Sequence, residues 1–471
     1  MLERVPDRWL FGPLLALLAL LWSGSATGLL SSNDGSHLAL ARALALRHAT
    51  TIEPDRALTL GIDLAEREGR AYSDRPPGTA FAALPAVWLG DRLDGAALAR
   101  ARDQVRASEP VSPMPGCPPY VATYAKRFPD APPLAKRIAT GVMIGLHATL
   151  LGLLGLVLID RVLIRLGFAR GSRLFALASV GAATLWGPYS SALFAHVGTA
   201  TALAGFLLGV VALREPTSAR RAPLIALATG LAGSWAIACD YLVLLAIVPV
   251  SLMTIEWRRW PMVVLGTLPI TLATLAYHSA AFGSPLAIGY DFHATFAFAR
   301  GRQSTFAGNP LAGLWVLLGA GRGAGMLAQA PIALVGLFGL VLVRGSERAW
   351  LAKVALGCLP WLFVLACHET PWGGGTEDHR YLIPILPLAA IGLALVWDRA
   401  RARPALRVGL VLLALGSALR VWSAFLAWRE GDLLGNLELG SLVGLAVLGV
   451  VLVVAGIRSR MLPRWIVRGR S

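Results

Sequence analysis

WLFGPLLALLALLWSGSATGLL (residues 9–30) is an apolar run long enough to cross a bilayer, and the polar segment SSNDGSHLALARAL (residues 31–44) follows it directly. Arg4 and Arg8 precede the run, as basic residues do in a signal peptide. The run is long for the apolar part of a signal peptide, however, and it lacks a clear cleavage site of small residues. We therefore predict a retained first membrane helix that leaves the cytoplasm.

The composition of the 471-residue chain indicates a polytopic membrane protein. Hydrophobic residues make up 56% and charged residues only 15%, whereas about a quarter of a soluble domain is charged. The net charge of +16 comes from basic residues in short clusters between apolar runs, which is the pattern that sets membrane topology. Because these residues form no continuous basic face, we predict no nucleic-acid partner. The four cysteines show no metal-binding or disulfide spacing.

The apolar runs predict an all-α fold of about twelve transmembrane helices in one membrane-embedded domain, with both termini in the cytoplasm. The predicted spans are residues 9–30, 134–166, 173–189, 196–213, 222–239, 241–255, 261–282, 326–343, 350–367, 381–397, 405–428 and 437–457. Between them lie three extracytoplasmic loops, at residues 31–133, 283–325 and 368–380.

Within these loops we expect helices that lie at the membrane surface. Residues 36–48 predict an interfacial helix with Leu40 and Leu44 on one face and Arg42 opposite. Residues 57–69 are a weaker helical candidate, and residues 310–318 are a further interfacial candidate. The apolar run at 77–90 is too short to span a bilayer comfortably. We assign no role to the proline-rich segment at 91–133.

Asp34 follows the first span by a few residues, and its position allows two interpretations. An acidic residue at this point can cap the helix that follows it. It can also act as a general base at the membrane surface and deprotonate an acceptor hydroxyl.

YSDRPPG (residues 72–78) places Asp74 and Arg75 directly before two prolines, which fix their own backbone and bias Arg75 towards an extended conformation. A rigid arginine beside the headgroup layer suits a phosphate or pyrophosphate. A salt-bridged loop arginine is the alternative.

The third loop, HETPWGGGTEDHRY (residues 368–381), gathers further polar residues at the mouth of an apolar span. Arg380 stands where a phosphate partner would offset the cost of its burial, and Arg322 in GAGRGAG (residues 319–325) stands in a similar place. The glycines lack the strand-to-helix context of a nucleotide fold, so we predict no P-loop or dinucleotide site.

The predicted topology collects these unusual polar residues on one face, which favours a site that opens outward. Our remaining candidates for the substrate pocket are His37, Asp74, His196, Asp240, Tyr241, Tyr290, Glu369, Trp372, His379 and Tyr381. His196 and His379 could join carboxylates around a divalent cation, but the spacing leaves a metal open, and no cofactor is indicated with certainty.

Several of these motifs occur in an order that resembles the GT-C membrane glycosyltransferases. They are the aspartate after the first span, the Asp-Arg-Pro-Pro loop, and the late Gly-Gly…Arg-Tyr segment that leads into a span. Other stretches that fit the family outline are LWGPYSSALFAHVGTA (185–200), ACDYLVLL (238–245) and AYHSAAFGSPLAIGYDF (276–292). The resemblance is strongest to bacterial relatives of the protein O-mannosyltransferases and of the enzymes that add aminoarabinose to lipid A.

The resemblance implies a membrane enzyme that moves a sugar from a polyprenyl-phosphate donor to an acceptor hydroxyl. It also implies inversion at the sugar carbon, because attack would occur opposite the leaving phosphate. Asp34 matches the presumed catalytic base, while Arg75 and Arg380 match residues near the donor phosphate. The lipid tail would lie in a groove between spans. Gly35 follows Asp34, so the adjacent Asp-Glu pair of the protein O-mannosyltransferases is absent.

The resemblance also implies a location in the plasma (inner) membrane with the active site on the extracytoplasmic side. The acceptor stays open among a glycan, a lipid and a protein. The alternative function is a transporter or flippase of a polyanionic or sugar-linked lipid, in which the same arginines bind a headgroup without covalent chemistry.

Overall fold

The computed structural model describes residues 8–25, 31–90, 138–215, 218, 220–374 and 377–430. Its helices are α1 (Arg8–Ser25), α2 (Ser32–Arg47), α3 (Gly78–Gly90), α4 (Ile138–Arg165), α5 (Arg170–Ala183), α6 (Ala195–Arg214), α7 (Arg221–Cys239), α8 (Leu244–Thr254), α9 (Trp260–Phe282), α10 (Pro310–Leu318), α11 (Pro331–Gly339), α12 (Ser346–Ala366), α13 (Leu386–Arg399) and α14 (Pro404–Glu430). Two short strands, β1 (Ala65–Arg67) and β2 (Arg70–Tyr72), form an antiparallel hairpin.

The described residues confirm a helical polytopic membrane protein. Seven segments are long and apolar enough to cross a membrane: His147–Arg165, Ala195–Arg214, Arg221–Cys239, Trp257–Phe282, Arg348–Ala366, Arg380–Ala402 and Pro404–Leu426. Shorter apolar helices occupy Phe11–Ser23, Gly78–Gly90, Tyr241–Thr254 and Pro331–Leu342. The predicted span at 437–457 and the proline-rich segment at 91–133 lie outside the described residues.

Two predicted spans are interrupted in the structure. The apolar run at 326–343 divides into Met326–Gln329 and α11, because Ala330 precedes Pro331 and adopts a non-helical conformation. The run at 173–189 divides at Thr184, whose extended backbone ends α5 before the short helix Trp186–Tyr189. Hydropathy alone does not show these breaks, since the residues on both sides of them remain apolar.

A helix, α2, forms where the sequence predicted one, but Arg42, which was expected on the face opposite Leu40 and Leu44, is buried as Leu40 is. Arg42 is 4% exposed and its Nε lies 3.4 Å from Oδ1 of Asp55, which also pairs with Arg47 at 2.8 Å. Residues Glu53–Thr59 form a 3₁₀ helix that packs against α2. The arginine is therefore covered by this segment and not by the headgroup layer.

The prediction of a helix at 57–69 is wrong over most of that segment. The 3₁₀ helix ends at Thr59, and the chain then enters the β1–β2 hairpin, which pairs Ala65 with Tyr72. Glu68 and Gly69 at its turn both have positive φ, as a two-residue hairpin turn of type I′ requires. A bridge from Ala65 to His293 joins the hairpin to the segment between α9 and α10.

We predict that Asp55→Ala destabilises the protein by about 3–5 kcal/mol, because it leaves Arg42 buried without its carboxylate. Thermal unfolding of the purified protein in detergent measures this loss. The matched control is Glu66→Ala, which removes an exposed partner of Arg56 and should cost about 0–1 kcal/mol. Equal effects of the two substitutions would show that the Arg42–Asp55 pair does not stabilise the loop.

Candidate functional site

Arg75 lies between two carboxylates at the centre of a polar cluster. Its guanidinium pairs with Asp63, and its Nε lies 3.3 Å from Oδ2 of Asp74. Nη1 donates to the hydroxyl of Tyr290 at 3.5 Å. The side-chain amide oxygen of Asn33 accepts from the guanidinium at 3.2 Å. Segments that are far apart in the chain therefore fix this arginine.

Local sequence explains why the cluster is rigid. Pro76 and Pro77 restrict the backbone after Arg75, and Gly78 then begins α3. A Cβ at Gly78 would lie 2.5 Å from the carbonyl carbon of Ala238, and one at Gly289 would lie 2.7 Å from the Cα of Asp74. The loop thus packs directly on backbone from α7 and from the second loop, without room for side chains.

Asp74 is fully buried and receives hydrogen bonds from α2. The hydroxyl of Ser36 donates to Oδ1 at 3.1 Å, and Ser36 also contacts Ser73 at 2.8 Å. Nε2 of His293 lies 3.6 Å from Oδ2. Burial raises the pKa of Asp74, and Asp63 raises it further, although Arg75 opposes the shift. Burial also lowers the pKa of His293.

Asp63, Asp74 and His293 are the described group whose side chains fit a divalent cation. Their ligand atoms all lie within 4.8 Å of one another, and Oδ2 of Asp74 is buried without a hydrogen-bond partner among the described residues. Carboxylate oxygens and an imidazole nitrogen are ordinary ligands for such ions. His196 and His379, which the sequence suggested as ligands, do not belong to this group.

Asp34 is part of a capping box at the start of α2. Its Oδ1 accepts from the backbone N of Ser31 at 2.7 Å and from the Ser31 hydroxyl at 3.0 Å. The carboxylate therefore caps α2, although the N-cap residue is Ser31 and Asp34 lies at the third position inside the helix. Ser32 and Ser36 of the same helix contact the Arg75 cluster, whereas Asp34 shares its helix face with His37, three residues later.

Arg380 is buried in the third loop and is held by its neighbours. One Nη donates to the carbonyl of Gly373, and the other lies 3.6 Å from Oδ1 of Asp378. The hydroxyl of Tyr189 donates to the other oxygen of Asp378 at 2.5 Å. The guanidinium also lies 5.6 Å from the ring centre of Phe194, which places it against an aromatic wall.

Tyr381 lies near both Arg380 and His196. Its ring lies 5.3 Å from the guanidinium of Arg380 and 5.5 Å from the ring of His196. The charge of Arg75 also acts on Tyr381 and on His196. Both arginines therefore influence the same pair of residues, although about 300 residues separate them in the sequence.

Arg322 and Trp372 occupy a more exposed position. The Arg322 side chain is 49% exposed, lies 4.3 Å above the ring of Trp372 and donates to Glu377 at 2.5 Å. Glu369 is exposed as well, and its backbone N donates to the carbonyl of Thr305. These contacts place the predicted phosphate ligand Arg322 at the surface of the third loop.

The other pocket candidates have defined partners in the structure. Asp240 accepts from the backbone N of Leu242 at 3.0 Å, and burial raises its pKa to about 6. The hydroxyl of Tyr241 lies 2.7 Å from Nε2 of His278. Nδ1 of His379 lies 3.1 Å from the carbonyl oxygen of Ala324. This hydrogen bond satisfies Nδ1 within the protein, so that nitrogen requires no ligand.

The sequence did not single out several residues of the site. Asp63, His293 and Tyr189 complete the surroundings of the two arginines, but none of them lies in a recognisable motif. His293 directly follows the stretch AYHSAAFGSPLAIGYDF that fits the family outline, and this adjacency was the available signal. Asp63 stands alone between apolar residues.

Comparison with solved structures finds helical membrane proteins of the same design. ArnT from Cupriavidus metallidurans, bound to undecaprenyl phosphate, has a TM-score of 0.51 at 15% identity over 96% of this chain and 77% of its own. The apo structure of the same protein has a TM-score of 0.50 at 16% identity, over 95% of this chain and 76% of its own. The oligosaccharyltransferase AglB from Archaeoglobus fulgidus gives 0.45 at 12% identity, over 95% and 56%, which is too weak a similarity to support an argument.

No protein-family model matches the sequence, and no curated protein matches it. At these identities the likeness to ArnT concerns the fold alone. The chain has the same overall fold as ArnT.

Proposed function

We propose that the protein is a membrane glycosyltransferase that moves a sugar from a polyprenyl phosphate to an acceptor hydroxyl. The observation that carries this proposal is the pair of arginines, the partly buried Arg75 and the buried Arg380, whose charges both act on His196 in a fold shared with ArnT. Guanidinium groups bind phosphate oxygens with well-defined geometry. ArnT, which shares the fold, has been crystallised with undecaprenyl phosphate.

The charges around Arg75 shape how a phosphate would bind. One guanidinium faces the carboxylates of Asp63 and Asp74, so the cluster has excess negative charge when both are ionised. A divalent cation held by Asp63, Asp74 and His293 would reverse this balance and supply positive charge for the phosphate. Asp63 and Asp74 orient Arg75, whose side chain stays 17% exposed.

An apolar cavity lies between α6, α8, α12 and α13, with Leu207, Ile247, Val354 and Trp361 in its wall. We assign it to the start of the donor's lipid chain. Pro384 and Ile385 also line it, and they follow Arg380 by about one helical turn. A phosphate at Arg380 would therefore have an apolar space for its chain close by.

The proposed reaction is a displacement at the sugar carbon that carries the phosphate. The acceptor oxygen forms a bond to this carbon, and the bond to the phosphate oxygen breaks with its electron pair remaining on the phosphate. Attack opposite the leaving group gives inversion. Arg75 and Arg380 stabilise the charge that develops on the phosphate, which is commonly the larger catalytic contribution.

Asp34 is the proposed base that takes the proton of the acceptor hydroxyl. It shares a helix face with His37, which lies within electrostatic range of Arg75 and His196. A positioned base typically contributes about 10²–10⁴-fold to the rate. The carboxylate would have this role in addition to capping α2.

We expect Arg75→Ala and Arg380→Ala to weaken binding of undecaprenyl phosphate by about 10–150-fold, the range for loss of a charge-assisted hydrogen bond. Equilibrium binding to the purified protein measures the change. Arg75→Lys, which keeps the charge but loses the planar fork, should recover part of the affinity. Arg56→Ala is the matched control, because Arg56 pairs only with exposed carboxylates in its salt bridges. Unchanged binding in the Arg75 and Arg380 variants would refute the phosphate site.

Transfer and transport are separated by incubating the protein with radiolabelled polyprenyl-phosphate sugars and membrane lipids. Label in a new covalent product supports a glycosyltransferase. Label that only changes leaflet supports the flippase alternative and contradicts the proposal.

Asp34→Asn should reduce transfer at least about 100-fold while the protein still folds and binds undecaprenyl phosphate. Asparagine keeps an oxygen that can accept from Ser31, so the substitution removes the base and retains a cap. The control Ser31→Ala removes the capping hydroxyl but leaves the carboxylate, and it should lower stability more than turnover. Near-normal turnover of Asp34→Asn would leave Asp34 with the capping role alone.

A further inference from the structure

His37 and His196 are buried histidines whose hydrogen bonding is incomplete. His37 is 1% exposed and His196 is 8% exposed. Nδ1 of each ring is buried and has no hydrogen-bond partner among the residues that the structure describes. Because an unsatisfied buried polar atom costs free energy, its retention calls for an explanation such as a bound ligand.

Other buried histidines of the protein show that the fold can satisfy such rings. His278 contacts the Tyr241 hydroxyl through Nε2 and the carbonyl of Pro285 through Nδ1. Nδ1 of His293 accepts from two backbone N–H groups, those of Thr295 and Phe296. The open nitrogens of His37 and His196 therefore distinguish them from the histidines that have structural roles.

The charges of the proposed phosphate site act on both open histidines. His37 is within electrostatic range of Arg75, and His196 is within range of His37, Arg75 and Arg380. Aromatic rings flank His196: the centre of Tyr381 is 5.5 Å away and that of Tyr189 is 6.0 Å away. Convergent polar groups within aromatic walls are typical of small-molecule sites.

The chemistry of these rings favours a hydroxyl over a second anion. Burial and the charge of Arg75 lower the pKa of His37 to about 3, so the ring is neutral at physiological pH. A neutral imidazole has one donor and one acceptor nitrogen, and a hydroxyl likewise donates and accepts. An ionised phosphate only accepts, and the arginines already offer it donors.

We propose that His37 and His196 form the sugar subsite of the protein and hydrogen-bond to hydroxyl groups of the transferred sugar. The inference rests on the proposed function, because it assigns the phosphate to Arg75 and Arg380. The ligand it names is an uncharged sugar with free hydroxyls near its phosphate linkage. Neither histidine has to transfer a proton in this role.

The test compares two kinds of ligand on the full-length protein. The probes are undecaprenyl phosphate alone and undecaprenyl phosphate linked to glucose, mannose or arabinose. In His37→Leu and His196→Leu, affinity for the sugar-linked probe that the wild type binds most tightly should fall about 3–10-fold, the loss expected for one neutral hydrogen bond. Affinity for undecaprenyl phosphate should stay unchanged.

Conservative variants and stability separate this role from a structural one. Asparagine places a polar atom near the position of Nδ1, so His37→Asn and His196→Asn should recover part of the affinity. The leucine variants should unfold at the same temperature as the wild type or higher, because each removes an unsatisfied polar atom. The control is His48→Asn. The side chain of His48 is exposed, and its backbone adopts the left-handed conformation, which asparagine tolerates.

Two results would overturn the assignment. Equal weakening of both ligands would mean that the histidines bind the phosphate, and no weakening of either would remove them from the site. In both cases the wild type still binds undecaprenyl phosphate, and the proposed function stands. A wild type that binds neither ligand would overturn the proposed function together with the subsite.

Discussion

The ion cluster that Arg75 forms with Asp63 and Asp74 is the constraint on which the first and second loops depend. A buried ion cluster is stable only when each group has partners in good geometry. Those partners come from separate segments: Ser36 from α2, Asp63 from the turn before the hairpin, and Tyr290 from the second loop. None of these segments can shift without leaving a buried charge unpaired, so they behave as one unit.

The same organisation pre-orients the proposed site. Arg380 is fixed by Asp378 and the carbonyl of Gly373, while Arg75 is fixed by its own carboxylates. Neither side chain has to lose much rotamer freedom when a ligand binds, which is the usual benefit of preorganisation. The cost is that a phosphate has to share each guanidinium with acids that are already present. Selective binding of a charged headgroup then depends on the local balance of charge.

The sequence predicted the parts of the structure that rest on local patterns. Long apolar runs revealed the membrane helices, and the prolines after Arg75 revealed a stiff loop. What it could not predict rests on contacts between distant segments. Asp63 is ordinary until the fold places it beside Arg75, and Arg42 looked exposed because periodicity does not show that residues Glu53–Thr59 cover α2. The hairpin was missed because Glu68 adopts the positive φ that a turn more often assigns to asparagine or aspartate.

The bond between Arg75 and Tyr290 spans 215 residues, and this separation has a consequence for biosynthesis. At a typical rate of 5–20 residues per second, Tyr290 leaves the ribosome about 10–40 s after Arg75. During that interval the carboxylates and the arginine of the cluster lack this later partner. The Arg75–Tyr290 bond therefore forms only after α9 and the segment that carries Tyr290 have been synthesised.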